Sequence, residues 1–376
     1  CADYIQEIEN KLGIPTMGRV ERFPEIFEYL MKLSIERPIT LFIDEFQEFF
    51  KVNKSVYSDM QRIWDMYHTK AHINLIVCGS IFSMMTKIFK DKKEPLYNRQ
   101  TRFMSIKPFT PAVLKEIMAE YNPNYTSEDL LALYSFTGGV AKYVQLLVDA
   151  GATTKTKMLN HIIKADSVFL GEGKAILIEE FGKDYGVYFS ILSAIARGKT
   201  LRSEIEQIVG REIGGYLTKL EKEYEVITKN QPIFEKSSTK NVRYTIEDNF
   251  FTFWFRFIYK YNYMLEIENY DAVKTIINRD YETFSGKMLE RYFKRVLMES
   301  KAYTRIGSWW DRKGENEIDI VAENELNDEA VFIEVKRKEE NFDAIALNEK
   351  VDAFTRATGK FKDYTVSQKG LSMTDM

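Results

Sequence analysis

Five residues, Ile39-Thr40-Leu41-Phe42-Ile43, followed at once by Asp44-Glu45, constrain this chain more than any other stretch. The run is too short to span a membrane as a helix, and it ends abruptly in two acids. It reads as a strand buried on both faces, the kind found inside a parallel sheet. Carboxylates at the C-terminal end of such a strand lie where open α/β sheets bind ligands. There an Asp can help hold a magnesium ion, and a following Glu can polarise an attacking water. The plainer alternative is a buried strand that exits into a polar loop.

The neighbouring segments fit a sheet covered by helices. Met60, Ile63, Trp64 and Tyr67 recur at helical spacing over 56–67, as a crossover helix requires. His72-Ile73-Asn74-Leu75-Ile76-Val77-Cys78-Gly79-Ser80 then supplies a second buried-looking strand. Ser80 at its end either reaches a phosphate or its water, or simply begins a turn. Residues 112–120 and 128–135 read as helices introduced by the caps Thr110-Pro111 and Thr126-Ser127. A further helix spans 140–149, and the pattern changes at roughly 173–183.

Residues 184–246 resemble a winged helix-turn-helix. Tyr188, Ile191, Leu192 and Ile195 mark one amphipathic helix, and Leu201, Ile205 and Ile208 a second between Thr200 and Gly210. A third covers 213–223, and 225–228 with 242–246 make a hairpin around a polar loop. In a DNA reader the third helix enters the major groove while basic residues touch phosphates. The candidates are Arg211, Tyr216, Lys219 and Lys222, with Lys236 and Lys240 in the wing. Glu212, Glu221 and Glu223 on the same helix repel phosphates, so a protein-docking wing is the rival reading. The aromatic stretch from Phe250 to Phe257 reads as packing rather than a base-stacking platform.

Near the C-terminus, Glu317-Ile318-Asp319-Ile320-Val321-Ala322 and Ala330-Val331-Phe332-Ile333-Glu334-Val335-Lys336 read as two strands. Alternation projects Glu334 and Lys336 from one face, opposite Ile333 and Val335. Asp319 and Glu334 beside a lysine can hold a hard divalent cation through oxygen. Such a metal activates water and offsets charge on a phosphodiester, with Lys336 steering the nucleophile. The Asp…Glu-x-Lys pattern closely matches the PD-(D/E)XK nuclease core. That resemblance implies a further acid from the preceding helix, a role Glu290 fits, with Trp309, Trp310 and Arg312 near the mouth. Half-exposed hairpins also alternate Glu and Lys with apolar residues, so a docking domain without cleavage stays open.

Two further motifs are Pro95-Leu96-Tyr97-Asn98-Arg99 and Thr137-Gly138-Gly139-Val140-Ala141. Taken in order along all 376 residues, the motifs make the chain similar to the archaeal-type AAA+ ATPases, close to the signal-transduction NTPases. The resemblance implies an α/β multidomain protein: a partial P-loop NTPase sheet, a helical lid, a winged helix-turn-helix and a restriction-nuclease-like α/β domain. It divides the chain at 1–109, 110–175, 176–262 and 263–376. It implies Asp44 and Glu45 as the Walker B pair, Ser80 as a sensor-like residue and Arg99 as a phosphate-sensing or finger arginine. Asn98 stands where the family pattern has Gly, and Ala141 where the lid pattern has Pro. ATP and Mg2+ are the implied cofactors, with Mg2+ also possible at the C-terminal domain.

A P-loop requires Gly-x-x-x-x-Gly-Lys-Ser/Thr, whose backbone N–H groups and lysine cradle phosphates. No such run occurs in this sequence. Because the chain opens at Cys1 in a helix-like stretch, the expectation is an N-terminal truncation, with evolved loss of nucleotide binding as the alternative. On either account tight ATP binding is not expected of this stretch alone.

A net charge of −3 excludes a globally basic nucleic-acid coat, although local patches for double-stranded DNA remain compatible. Cys1 and Cys78 lack metal-type spacing, which predicts reduced thiols and a cytoplasmic protein. His68, His72 and His161 are too scattered for a zinc site or a His-based triad. No apolar run reaches transmembrane length.

Overall fold

The computed structural model of the protein describes residues 2–13, 20–236 and 239–376. Cys1 lies outside them. The fold is mixed α/β, with helices in the majority and small sheets. It divides into two compact units, Cys1–Ser105 and Ile106–Met376. No described helix is long and apolar enough to cross a membrane.

In the first unit, β1 (Ile39–Ile43) and β2 (Ile73–Val77) pair in parallel, Ile39 opposite Ile73 and Ile43 opposite Val77. The helix Ser55–Tyr67 runs from one strand back to the start of the other, burying Val56, Tyr57, Met60 and Ile63. Leu41, Ile43, Leu75 and Val77 pack on the cluster that includes Met60, Ile63, Phe46 and Phe89. The opposite strand face is open: Phe42 is 57% and Ile76 43% exposed, alongside exposed Thr40 and Asn74. The apolar run predicts a strand buried on both faces. Only one face is covered among the described residues, because helix and strand residues pack from that side alone. Cys78 lies just past β2 and is half-buried rather than inside a strand.

The second unit begins with five helices, Pro111–Tyr121, Ser127–Thr137, Ala141–Asp149, Lys155–Ile162 and Val168–Phe181. Thr110 caps the first, accepting from the Val113 N–H. Thr126 and Asp129 form a reciprocal capping box on the second. Gly139, at φ 78°, lies so close to the Phe109 carbonyl that a Cβ would sit 2.5 Å from its oxygen. Ala141 is the first helical residue after Val140, the position where proline is best tolerated. The pattern change near 173–183 covers the second half of Val168–Phe181 and its end; Gly173, inside that helix, lies directly under the Trp254 ring.

Three helices follow, Tyr185–Ala196, Arg202–Val209 and Gly214–Lys222, then the antiparallel hairpin β3 (Ile227–Asn230) and β4 (Arg243–Ile246). The aromatic stretch is an α-helical turn, Asn249–Phe253, running into a π-helix, Trp254–Tyr259. Phe250, Phe253, Trp254, Phe255 and Phe257 are all buried, as packing requires.

Asp248 caps this segment by accepting from the Phe251 N–H. Burial pushes its carboxyl up to about 6, against the backbone hydrogen bonds and Arg291. Between 3.8, its ordinary value, and about 6 the folded chain holds a proton that the unfolded chain releases. Stability present below pH 3.8 is therefore lost as pH rises through 6. Asn caps as well as Asp, so Asp248→Asn should flatten urea-derived stability over that window and add about 1–3 kcal/mol at pH 7. An unchanged slope would show that another group controls it.

The last sheet has the order β5-β6-β7-β8, from β5 (Arg305–Trp310), β6 (Glu317–Asn324), β7 (Glu329–Val335) and β8 (Thr365–Leu371). The β5–β6 and β6–β7 pairs are antiparallel and β7–β8 is parallel, with the helix Ala344–Thr358 between them in sequence. Ile320, Ile333 and Val335 join the large core that includes Phe284 and Met288 of the helix Tyr270–Ser300. Ile318, Val321 and Phe332 pack instead with Leu347, Val351 and Phe354.

Candidate functional sites

The first cluster sits at the C-terminal ends of β1 and β2. Asp44 Oδ1 accepts from the Cys78 thiol at 2.6 Å and from the Glu45 N–H at 2.9 Å. The Cys78 hydrogen bond, then that backbone bond, hold the Asp44 carboxyl below its usual range, and Asp44 in turn pushes the thiol up. Glu45 Oε2 accepts from Ser80 Oγ at 2.7 Å and from the Gln47 amide. These two contacts, Ser80 first, likewise hold Glu45 low. Glu45 lies at φ 47°, ψ 45°, left-handed backbone that non-glycine residues seldom adopt. Such strain is a common mark of functional positions. Gly79 permits the closure, since a Cβ there would run into Gln47 Oε1 and Met85.

Asp44, Glu45 and Ser80 are thus brought together, and Gln47 and Cys78 join them unanticipated. Arg99 is not. Its Nε and Nη2 form a fork on the Asp65 carboxylate at 3.0 and 2.9 Å, while Nη1 donates to the Tyr97 carbonyl. Asp65 lies near the end of Ser55–Tyr67, which returns the chain toward the start of β2 rather than its end. Asn98 adopts φ 58°, the left-handed region glycine favours and Asn tolerates, so its side chain costs the turn little.

The second cluster forms where β6 departs from regular pairing. Gly307 faces Val321 but Trp309 faces Ile318, so Asp319 and Ile320 together oppose Ser308. That is a β-bulge, which re-aims a side chain and frees it from the ladder. Asp319 Oδ2 takes the Val335 N–H at 2.8 Å. Glu334, 7% exposed, receives both Lys336 Nζ at 2.7 Å and Lys350 Nζ at 2.9 Å on Oε1. Its Oε2 is buried without a hydrogen-bond partner. From Tyr270–Ser300, Glu290 pairs with Lys287 at 3.0 Å.

The electrostatics tie these groups together. Burial, with the Glu334 charge beside it, raises the Asp319 carboxyl. Burial also raises Glu290, to about 7, with Asp319 and Glu317 opposing Lys287. Burial works to lower Lys336, but Glu334, Asp319 and Glu290 outweigh it and leave its pKa raised. Lys336 is therefore an ammonium at neutral pH, fit to hold negative charge and unfit to accept a proton. Among the described residues, no three acidic, histidine or cysteine side chains already converge as a metal site.

Asp319, Glu334, Lys336 and Glu290 share this electrostatic neighbourhood. Lys350 escaped notice because its contact with Glu334 joins positions that are sixteen apart through a crossover helix. The hairpin lies against the last sheet. Ile233 donates to the Ser308 carbonyl at 2.9 Å, and Phe234 packs with Phe354 and Phe361. Arg211, Lys219, Lys222, Lys236 and Lys240 are exposed. Tyr216 is half-buried between Tyr188 and the Arg211 guanidinium, because its ring completes a helix–helix contact.

The first part of the chain is similar to an ATPase domain. Residues 6–147 match a family described as an ATPase domain predominantly from Archaea. Residues 254–353 match one described as Archaea bacterial proteins of unknown function. An uncharacterized protein of Methanocaldococcus jannaschii is 33% identical over 314 residues, covering 80% of this chain and 67% of that protein. A second uncharacterized protein of that organism is 34% identical over 56 residues, 15% of this chain and 54% of its own length. A Walker-type ATPase of Pyrococcus abyssi has a similar structure over 67% of this chain and 75% of its own, at TM-score 0.48 and 19% identity. The chain belongs to this archaeal AAA-like ATPase family.

Proposed function

We propose that the second unit is a divalent-cation-dependent site acting on DNA phosphodiesters, carried by an ATPase-family protein whose Asp44 and Glu45 form the carboxylate half of a nucleotide site. The observation that carries it is the bare Glu334 Oε2, buried beside Asp319 and Lys336 at a strand bulge. A buried carboxylate oxygen left without a partner is costly, and an oxygen-seeking cation would relieve it. Asp319 and Glu334 are the residues that would hold such an ion, and Glu290 would join them on leaving Lys287. The chemistry supplied by a bound cation is water activation and offset of charge on a phosphodiester. Lys336 adds a fixed positive charge, Lys350 holds Glu334 in place, and the Val335 N–H orients Asp319. The three-helix and hairpin segment is read as a winged helix, and the β5–β8 sheet with its helices as a restriction-nuclease-like domain.

For ATP the fit is one-sided. The exposed Asp44 carboxylate suits a magnesium ion, but the sequence has no phosphate cradle, and no hydrolytic step follows from these residues alone. A second reading, a non-enzymatic scaffold switched by nucleotide, draws on the pairing of Glu334 with two lysines, which already neutralises it. Incubating the full chain with supercoiled plasmid and Mg2+ separates the two. Nicking that stops with EDTA supports the first; intact plasmid across Mg2+ and Mn2+ supports the scaffold or a DNA-binding regulator with an inactive nuclease site.

A further inference from the structure

The hairpin does more than cover the edge of the last sheet. Its loop pairs with β5 at Ser308, the residue opposite the Asp319–Ile320 bulge, and Gly307 is so close that a Cβ there would lie 2.9 Å from Ile233. Just before the hairpin's second strand, Asn241 Oδ1 accepts from the Trp310 indole at 2.9 Å. Arg243 then stacks its guanidinium 4.5 Å from the centre of that same ring and places Nη1 2.9 Å from Glu317 Oε2. Trp310 faces Glu317 across the β5–β6 ladder, and Glu317 precedes Asp319 by two residues. One arginine from the hairpin therefore stands at the rim of the acidic cluster.

We propose that Arg243 is the phosphate-binding residue that positions the DNA backbone at the Asp319–Glu334 cluster, so that the hairpin is one wall of that site. The inference rests on the phosphodiester reading above. Three features favour it over simple docking. The Arg243–Glu317 pair keeps 25% and 36% of its side-chain surface in solvent, and rim pairs of this kind contribute little stability. A phosphate can therefore take the place of Glu317 at small cost. The guanidinium fork matches a phosphate's two oxygens, and stacking on Trp310 fixes its plane. The docking itself is already secured by Ile233, Phe234 and Asn241, without Arg243.

The two roles give opposite signs in one experiment. Binding of a fluorescein-labelled DNA duplex to the full chain is followed by anisotropy against KCl, with Ca2+ in place of Mg2+. If Arg243 contacts phosphate, Arg243→Ala weakens binding about three- to tenfold and lowers the salt slope by about one. Glu317→Gln, which releases the guanidinium, tightens binding. Arg243→Lys keeps the charge without the fork and falls between the two. If the pair only docks the hairpin, Arg243→Ala and Glu317→Gln weaken binding alike or leave it unchanged, and the proposal falls. Should Arg243→Ala fail to fold, Arg243→Lys, which keeps the charge and loses the fork, separates the two roles: it weakens binding if the fork holds a phosphate and leaves it unchanged if the pair only docks the hairpin. A wild-type chain that binds no duplex overturns the phosphodiester reading itself, whereas wild-type binding with an indifferent Arg243→Ala overturns only the wall.

Discussion

Asp319→Asn should remove Mg2+-dependent nicking of plasmid by about a hundred- to a thousandfold or more while leaving the second unit folded. Asn keeps a side-chain oxygen for the Val335 N–H, so the bulge retains its 2.8 Å tie. It removes a charge that burial and Glu334 already disfavour, so the melting temperature should hold or rise slightly. Loss of cutting with stability intact isolates the carboxylate's charge as the functional quantity. Glu334→Gln tests the same site from the other strand. It removes the carboxylate that pairs directly with both the Lys336 and Lys350 ammoniums, so there a loss of stability should accompany the loss of cutting. Wild-type nicking by Asp319→Asn would remove Asp319 from the chemistry altogether. Nicking that survives both substitutions would point to a contaminating nuclease.

The parts of this molecule readable from sequence are those set by neighbours along the chain. Thr110, Thr126 and Gly210 mark helix ends because capping depends on a few adjacent residues. Asp44, Glu45 and Ser80 meet because two parallel strands in register end at the same level. Asp319, Glu334 and Lys336 meet for a related reason, since β6 and β7 are neighbours in sequence and in the sheet.

What escaped the sequence depends on long-range packing. Period-two alternation cannot show that Asp319 sits in a bulge, because the extra residue is defined only against Ser308 on β5. Arg99 looks free in the sequence, yet Asp65, thirty-four positions earlier, takes its guanidinium. The apolar β1 run gives no hint that Phe42 is exposed, because burial of a face depends on what packs there. The hairpin lysines draw attention by their charge, while Arg243 gains its place from Trp310 and Glu317, far along the chain.

The same long-range packing makes Phe253 the side chain whose loss should cost this unit most. It is fully buried, with its ring 4.7 Å from Phe136, 5.5 Å from Phe257 and 6.1 Å from Phe284. Those partners belong to Ser127–Thr137, the π-helix Trp254–Tyr259 and Tyr270–Ser300, so one ring joins three elements. A π-helix is a rare local choice, and here it presents Trp254, Phe255 and Phe257 to the core in succession. Phe253→Ala should therefore cost about 3–5 kcal/mol, a large share of a domain's net stability. The consequence should reach the last sheet, because Ile320, Ile333 and Val335 belong to the same continuous core. In a Trp64→Phe background the remaining tryptophans, Trp254, Trp309 and Trp310, all report on the second unit. Their fluorescence should lose its native signal in one urea transition, shifted to lower denaturant by the substitution. If Trp309 and Trp310 instead kept their wild-type midpoint while helicity was lost early, the helices and the sheet would be separate folding units. The last sheet and its helices would then have to be treated as stable apart from Phe253.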